Sequence, residues 1–506
     1  MNGNSRFERD WHGVPEELSG RALEAHLSRR EMLLRSASTL GAAAVAASLP
    51  ASTILAETAS ATAKANRLPA PSELPIDHFV ILMMENRSFD HYFGWFPGAD
   101  GSQLQTYEDP QGVSHSTFHA ADLGRAQWQG CGHPDPGHGW DAGRAQLRGG
   151  FLADGSGNDE FALSYYEEGD LGFIQPAAKA FTLYDRYFCS LLGPTWPNRY
   201  CKWSAQSGGK KDNSPPADTL GNQWETIFDR ALKNNPANAT GPGLITARYY
   251  NSDLPFSAVW GPRGVSWTRP ISEYYADCAA GTLPNITIVD PPFRDGGGFD
   301  GMSADEHPLG DVRLGQAFMA DVVHAFIDSP NFRRGALFVI YDEWGGFFDH
   351  VRPPSVPDAR QSSNLDENFG QMGFRIPAVC VSPYTLGGRV AHAQLGHESI
   401  LKLIEYRFGL GSLTTRDQLT TNIGETFNWR AKPNAEVPDL PRPQHIASQP
   451  CSTGGGDVID ADSAHARDIA ALADLAERYG FTIGDGAAHE LFREPDSVKQ
   501  ALAAGG

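Results

Sequence analysis

Four short runs of apolar residues mark the expected buried strands of this chain. None of them shows the sustained alternation of apolar and polar positions that is typical of a strand with one face in water. Continuous apolar runs are instead typical of a parallel sheet that is covered on both faces. The runs are Phe79–Met84, Ile286–Val289, Leu337–Tyr341 and Ala378–Val381.

Helical periodicity follows the later runs. Apolar residues recur at helical spacing in 312–327, 399–408 and 468–479. Strands that alternate with helices predict an α/β fold, with a central, mostly parallel sheet and helices on both faces. The stretches 95–180 and 205–285 are rich in Gly, Pro, Asn and aromatic residues. We expect large loop insertions there, which form active-site loops or a cap.

Acidic and amide side chains stand where three of the strands end. Glu85 and Asn86 follow the first run, and Asp290 follows the second. Asp342 and Glu343 follow the third. Because open α/β sheets gather their sites at the carboxyl ends of strands, these groups are expected to converge and to offer oxygen ligands to a cation. For either pair alone, the alternative is a salt-bridged strand end with an Asn-capped turn.

Two loops place histidines beside acidic residues. The loop Cys131–Asp141 holds His133 and His138 among Pro and Gly residues, which fix a loop well enough to position catalytic groups. Its alternative is a surface turn. The segment Asp305–Pro308 sets His307 beside two acids. Its alternative is a cap for the helix that follows.

A third loop, Gly193–Arg199, carries a hydroxyl group in a tight turn. A threonine oxygen such as that of Thr195 can act as a nucleophile on phosphorus when a metal activates it. The alternative is a Pro-rich turn around a buried Trp196. His397, which precedes an amphipathic helix, is expected to be a helix cap or a solvated residue.

Charge limits the possible partners. The formal net charge of the 506 residues is −20, which repels phosphate backbones and makes nucleic acid an unsuitable partner.

The six cysteines form no CxxC pair, which argues against a structural zinc site. Some of them are expected to pair if the protein is exported. The sequence also has no HExxH, Walker or GxSxG motif, which counts against zincin, P-loop and α/β-hydrolase enzymes.

The N-terminus resembles a bacterial export signal. Paired arginines in Ser28–Leu34 precede an Ala-rich run at 37–49, an order typical of a bacterial twin-arginine signal. We therefore expect 1–56 to be a signal peptide and the protein to be secreted or associated with the cell envelope. The alternative is an Arg-capped helix. No run reaches the roughly 20 residues that span a bilayer, so no transmembrane segment is expected.

Taken in order, these motifs resemble the bacterial phosphoesterase family, whose members include secreted phospholipases C and an acid phosphatase. The resemblance extends over about residues 75–420. It is carried by these blocks: Glu85–Gly94, His133–Asp135, Gly193–Arg199, Asp305–Pro308, Tyr341–Val351, Arg375–Pro377 and Leu413–Asp417. It implies a catalytic domain at 75–420 with a fold like that of the alkaline phosphatase superfamily, and leaves 421–506 as an extension packed on the core.

The resemblance also implies roles for individual residues. It places one divalent metal ion on Glu85, Asn86, Asp342 and Glu343, and a nucleophilic hydroxyl at Thr195. It sets His133 and His307 around the phosphoryl group as catalytic residues. The substrate-binding residues it implies are Asn198, Arg199, His138 and His350.

The expected activity is that of a secreted, metal-dependent phospholipase C. It would cleave phosphatidylcholine to diacylglycerol and a phosphorylated head group through a phospho-threonine intermediate. Threonine at 195 favours diester cleavage, since the acid phosphatase branch of the family carries serine there. The alternatives are an acid phosphatase on the same fold and a non-catalytic exported protein that binds a metal or phosphate.

Overall fold

The structure is a computed structural model that describes residues 68–236, 243–293, 303–434, 436–446, 451 and 464–484. The expected signal at 1–56 lies outside these residues. The strands are β1 (His78–Met84), β2 (Thr106–Glu108), β3 (Ser114–Ser116), β4 (Phe118–His119), β5 (Ser164–Tyr165), β6 (Thr182–Tyr184), β7 (Ala247–Asn251), β8 (Thr268–Pro270), β9 (Ile286–Asp290), β10 (Gly335–Tyr341), β11 (Ala378–Val381) and β12 (Arg389–Ala391).

The α-helices are α1 (Phe89–Phe93), α2 (Trp140–Gly149), α3 (Ile174–Ala180), α4 (Thr195–Ser204), α5 (Ile227–Lys233), α6 (Pro262–Val265), α7 (Ile271–Ala280), α8 (Val312–Asp328), α9 (His397–Phe408), α10 (Thr415–Leu419) and α11 (Ala464–Tyr479). Short 3₁₀ helices lie at Pro71–Glu73, Ala120–Trp128, Glu160–Leu163, Phe256–Trp260, Pro330–Arg334, Leu365–Glu367 and Ile423–Thr426. None of the helices in the described ranges has the length and apolar character needed to cross a membrane.

The central sheet has eight strands in the order β12-β6-β11-β10-β1-β9-β7-β8. Only β11 runs antiparallel to its neighbours β10 and β6, so the expected mostly parallel α/β sheet is confirmed. Every residue of β9 and β10 is buried, which requires cover on both faces of the sheet. This explains why these strands read as continuous apolar runs.

The stretch 205–285 is more regular than its composition suggests. It contributes β7 and β8 to the central sheet, and it holds α5 and α7. Strand β7 has the sequence ARYYN. Its Arg248 and Asn251 hide the apolar pattern of a core strand. The remaining connections supply the large loop insertions that the sequence predicts.

Helix α11 packs against the body of the molecule. Leu472 and Leu475 belong to the main hydrophobic core. A disulfide joins Cys131 to Cys451, whose Cα atoms are 5.3 Å apart. It ties the histidine-bearing loop to the segment that leads towards α11.

Candidate active site

The strand register brings the acidic strand ends together. Met84 of β1 lies opposite Tyr341 of β10, so Glu85 and Asp342 leave the sheet side by side. Strand β9 pairs with the other side of β1 and ends at Asp290. Parallel strands end at one edge of a sheet, which is why the sequence could predict this convergence.

Buried Arg199 lies within this acidic edge. Its Nη2 is 2.8 Å from Glu85 Oε1, its Nη1 donates to Asp290 Oδ1 at 3.0 Å, and its Nε is 3.5 Å from Asp342 Oδ2. Lys202 Nζ also donates to Asp290, at 3.2 Å. These carboxylates therefore bind the guanidinium group of Arg199, which was expected to bind substrate. Arg199 offsets part of the negative charge at this edge of the sheet.

The acidic groups exceed the basic groups that face them. Burial raises the pKa of Glu85 and of Asp342, and Arg199 only partly offsets this. Burial also raises the pKa of Glu343, and the charge of Asp342 raises it further. A cation at this edge would remove the cost of keeping these carboxylates charged.

Three buried oxygens at the edge are suited to such a cation. Asn86 Oδ1, Asp342 Oδ2 and Glu343 Oε1 accept no hydrogen bond from any residue that the structure describes. Buried acceptors are normally paired, because an unpaired one loses its hydration without compensation. Carboxylate and amide oxygens are the ligands that hard divalent cations prefer. The residues present thus fit a metal ion.

His138 orients the amide of Asn86. His138 Nδ1 donates to Pro136 O at 2.7 Å, which leaves its Nε2 as an acceptor. Asn86 Nδ2 lies 3.4 Å from that Nε2 and donates to it. The amide oxygen of Asn86 then points the other way, as a metal ligand must. Asn86 itself adopts a left-handed backbone conformation, with φ at 60°, one residue after Glu85.

Thr195 is the first residue of α4 and is 9% exposed. Its side chain lines a cavity together with Glu85 and His465. Asn198 builds the turn before it: its Oδ1 accepts from Leu191 N at 2.8 Å and its Nδ2 donates to Gly193 O at 2.8 Å. The amide of Asn198 is thus engaged in shaping the turn, and substrate contact, its expected role, would compete with these bonds.

Histidines from three parts of the chain meet beside this cavity. His307 Nε2 lies 3.8 Å from Asp135 Oδ2, and the rings of His307 and His138 are 5.5 Å apart. His465 of α11 stacks on His307 with ring centroids 3.8 Å apart. Glu85, His307 and His465 each place a ligand atom within 4.8 Å of the others.

Burial lowers the pKa of His307, and the neighbouring His465 and His138 lower it further. His307 Nδ1 donates to Pro308 O at 3.0 Å, so the neutral ring presents Nε2 as an acceptor. The segment Asp305–Pro308 therefore contributes to the site. The capping role that was its alternative belongs to Asp311, whose side chain accepts from Arg313 N.

Two histidines named from the sequence have other neighbours. His133 Nδ1 pairs with Asp159 Oδ2 at 2.7 Å, and its ring stacks on Phe161. His350 belongs to a network with Asp90 and Arg375. Burial alone would lower the pKa of His350, but hydrogen bonds to Asp100 and Asp90 raise it to about 10.

His397 is buried and is not solvated as expected. It begins α9, and its Nε2 donates to the backbone oxygen of Asp342 at 2.9 Å. Tyr187 Oη lies 3.5 Å from its Nδ1. His397 therefore holds the end of β10 in place from behind the acidic edge.

The sequence is similar to a known protein family over most of its length. The sequence model of the Phosphoesterase family matches residues 76–411. Phospholipase C B of Mycobacterium tuberculosis is 30% identical over 440 residues, which cover 74% of this chain and 82% of that protein. Non-specific phospholipase C6 of Arabidopsis thaliana is 30% identical over 401 residues, covering 72% and 74%. Non-hemolytic phospholipase C of Pseudomonas aeruginosa is 28% identical over 475 residues, covering 82% and 65%.

Among solved structures, a protein in the alkaline phosphatase superfamily from Vibrio parahaemolyticus aligns with 71% of this chain and 71% of its own. The TM-score is 0.33 and the identity is 8%.

Proposed function

The chain belongs to the Phosphoesterase family and is a phosphoric diester hydrolase, and on that premise we propose that it is a metal-dependent phospholipase C. Its substrate would be phosphatidylcholine, and its products diacylglycerol and phosphocholine. The observation that carries the proposal is the shared cavity of Thr195 and Glu85, beside buried oxygens that lack hydrogen-bond donors. The relatives named above are phospholipases C, which supports the same activity.

One divalent ion would be held by Glu85, Asn86, Asp342 and Glu343. When bound, it would lower the pKa of a nearby hydroxyl and offset charge on the phosphoryl group. Arg199 and Lys202 bind Asp290. Asn86 Oδ1 and Glu343 Oε1, which accept no hydrogen bond from a residue that the structure describes, remain available to the ion.

Thr195 would act as the nucleophile. A bond forms between its Oγ1 and phosphorus as the hydroxyl proton passes to His307 Nε2. The bond between phosphorus and the diacylglycerol oxygen breaks as that oxygen takes the proton from Nε2. The N-terminus of α4, where Thr195 lies, favours the negative charge of the phosphoryl group. Water then attacks the phospho-threonine, phosphocholine leaves, and Thr195 regains its proton.

We assign the proton transfers to His307, with His138 beside it, and not to His133. Burial disfavours the charged form of His307 and lowers its pKa. A phosphodiester anion bound next to it would raise its pKa, so Nε2 could carry a proton to the leaving oxygen. The same Nε2 would take a proton from water in the second step. Asp135, 3.8 Å away, would stabilise the charged ring.

We also propose that the protein is exported through the twin-arginine pathway, as Ser28–Leu34 suggests. The Cys131–Cys451 disulfide supports an oxidising compartment, because such bonds are rare in the cytosol. Twin-arginine export of a folded chain would allow the metal to be bound before crossing.

The test is phosphorus NMR of the mature protein with phosphatidylcholine, with and without chelator, beside Thr195→Ala. Phosphocholine that requires both metal and Thr195 supports the proposal. Thr106→Ala, on an exposed strand, is the matched control and should behave like wild type. Inorganic phosphate from phosphocholine, with the lipid left intact, would indicate a phosphomonoesterase. Activity that survives Thr195→Ala would remove Thr195 as the nucleophile.

The metal ligands have a readout that does not depend on activity. After chelation, divalent ions are added one at a time. The ion that the site binds should raise the melting temperature, since a ligand that binds only the folded chain stabilises it. Glu343→Gln should weaken this shift while leaving a folded protein. An equal shift in Glu343→Gln and wild type would exclude Glu343 as a ligand.

A further inference from the structure

Helix α11 forms one wall of the cavity that holds Thr195. His465 and Asp468 of this helix line it, opposite Glu85 and Thr195. The aromatic rings of Trp196, Phe256 and Phe293 line the same cavity. Helix α11 lies beyond residue 411, where the family match ends, so this wall is supplied by a part of the chain outside the matched region.

A hydrogen-bonded bridge connects Asp468 to the nucleophile turn. Trp196 N, one residue after Thr195, donates to Asn213 Oδ1 at 2.8 Å. Asn213 Nδ2 then donates to Asp468 Oδ2 at 2.5 Å. A single side chain therefore fixes the Asp468 carboxylate at a set place relative to Thr195.

The charge of Asp468 is balanced only in part, by His138 and Arg467. No Lys or Arg among the described residues forms an ion pair with it, unlike the buried acids Asp90, Asp290, Asp349 and Glu398. Burial raises the pKa of Asp468 to about 6, and Asn213 opposes the shift. A cation brought into the cavity would complete this site.

Resting on the proposed function, we propose that Asp468 selects lipids with a positively charged amine in the head group. With the phosphoryl group at Thr195, the amine of choline or ethanolamine, two carbons further on, would lie in the same cavity as Asp468. The flanking Trp196, Phe256 and Phe293 suit the same ligand, because aromatic rings attract ammonium groups by cation–π contact. Neutral head groups such as glycerol would leave the carboxylate unpaired.

The experiment compares wild type with Asp468→Asn on phosphatidylcholine, phosphatidylethanolamine and phosphatidylglycerol in mixed micelles. In Asp468→Asn we expect kcat/KM for the choline and ethanolamine lipids to fall about tenfold relative to phosphatidylglycerol. Asp468→Glu, which keeps the charge, should preserve most of the preference. Asp474→Asn, an exposed aspartate of the same helix, is the matched control and should preserve all of it.

The outcomes separate this inference from the proposed function. Wild type that cleaves none of the three lipids would overturn both. Wild type that cleaves them without preference, or Asp468→Asn that loses activity equally on all three, would overturn the role of Asp468 alone. Activity of Asp468→Asn on phosphatidylglycerol serves as the internal check that the variant is folded.

Discussion

The imidazole of His465 lies on that of His307, with centroids 3.8 Å apart and planes inclined by 23°. His307 is the proposed proton carrier, and His465 comes from α11, more than 150 residues away in sequence. A stacked ring restricts rotation of its partner. Helix α11 therefore fixes the orientation of a histidine from the body of the molecule.

Replacement of His465 by alanine should lower kcat about tenfold with little change in KM, because His307 gains rotational freedom but the substrate contacts remain. His465→Phe keeps a stacked ring and should restore most of kcat. His115→Ala, on the β3 strand, is the control. If kcat falls as far in His465→Phe as in His465→Ala, the imidazole itself is required, as a metal ligand or a proton donor. His465 would then not act by positioning His307.

Arg199 is the single guanidinium shared by Glu85, Asp290 and Asp342, and its loss should destabilise the fold. Arg199→Met leaves buried Glu85 and Asp342 without their basic partner, which should lower the free energy of unfolding by about 3–5 kcal/mol. Urea denaturation measures this. Arg148→Ala removes one partner of the exposed pair with Asp366 and should cost under about 1 kcal/mol. Equal midpoints for the two variants would contradict the central role of Arg199.

Much of the sheet and its acidic edge follows from local sequence. Strands β1, β9, β10 and β11 are continuous apolar runs, and the side chains that follow a parallel strand must lie at one edge. Glu85 and Asp342 could thus be placed together without a structure. Strand β7 could not, since its apolar residues are few and its place in the sheet depends on pairing with β9.

The rest of the site depends on long-range packing. His465 stands alone in an amphipathic helix, with no motif around it, and reaches the cavity only because α11 packs on the core. Arg199 and Asn198 follow Thr195 in a block that carries the resemblance to the phosphoesterase family, which implies that they bind substrate. Their partners, a strand edge and the preceding loop, are visible only in three dimensions. The Cys131–Cys451 pairing, across 320 residues, likewise has no local signal.

That disulfide should matter for stability. It closes a loop of 320 residues, and loss of a crosslink that long should cost about 2–5 kcal/mol. Cys131→Ser/Cys451→Ser should therefore unfold at lower urea concentration than wild type, and reductant should move wild type towards the variant. The remaining described cysteines are buried thiols, so reductant should leave the double variant unchanged. Wild type whose thiols titrate as reduced, yet whose midpoint has not moved, would contradict this.

Glu405 and Asp417 provide a prediction about pH. Asp417, which interacts with Glu405, accepts hydrogen bonds from the backbone N–H groups of Leu413 and Thr414. Burial, together with the neighbouring Asp417, raises the pKa of Glu405 to about 10. The folded chain therefore keeps a proton that the unfolded chain releases above pH 4.5, the ordinary value for glutamate.

Because the folded state holds the extra proton, the contribution of Glu405 to stability is complete below pH 4.5 and declines as the pH rises towards 10. Glu405→Gln replaces the protonated carboxyl by an amide that does not titrate. Between pH 5 and pH 9, the stability difference between variant and wild type should grow in favour of the variant by up to about 1.4 kcal/mol per pH unit. Urea midpoints across this range measure it, with exposed Glu425→Gln as the control. Parallel curves for Glu405→Gln and wild type would mean that Glu405 is already ionised in the folded protein.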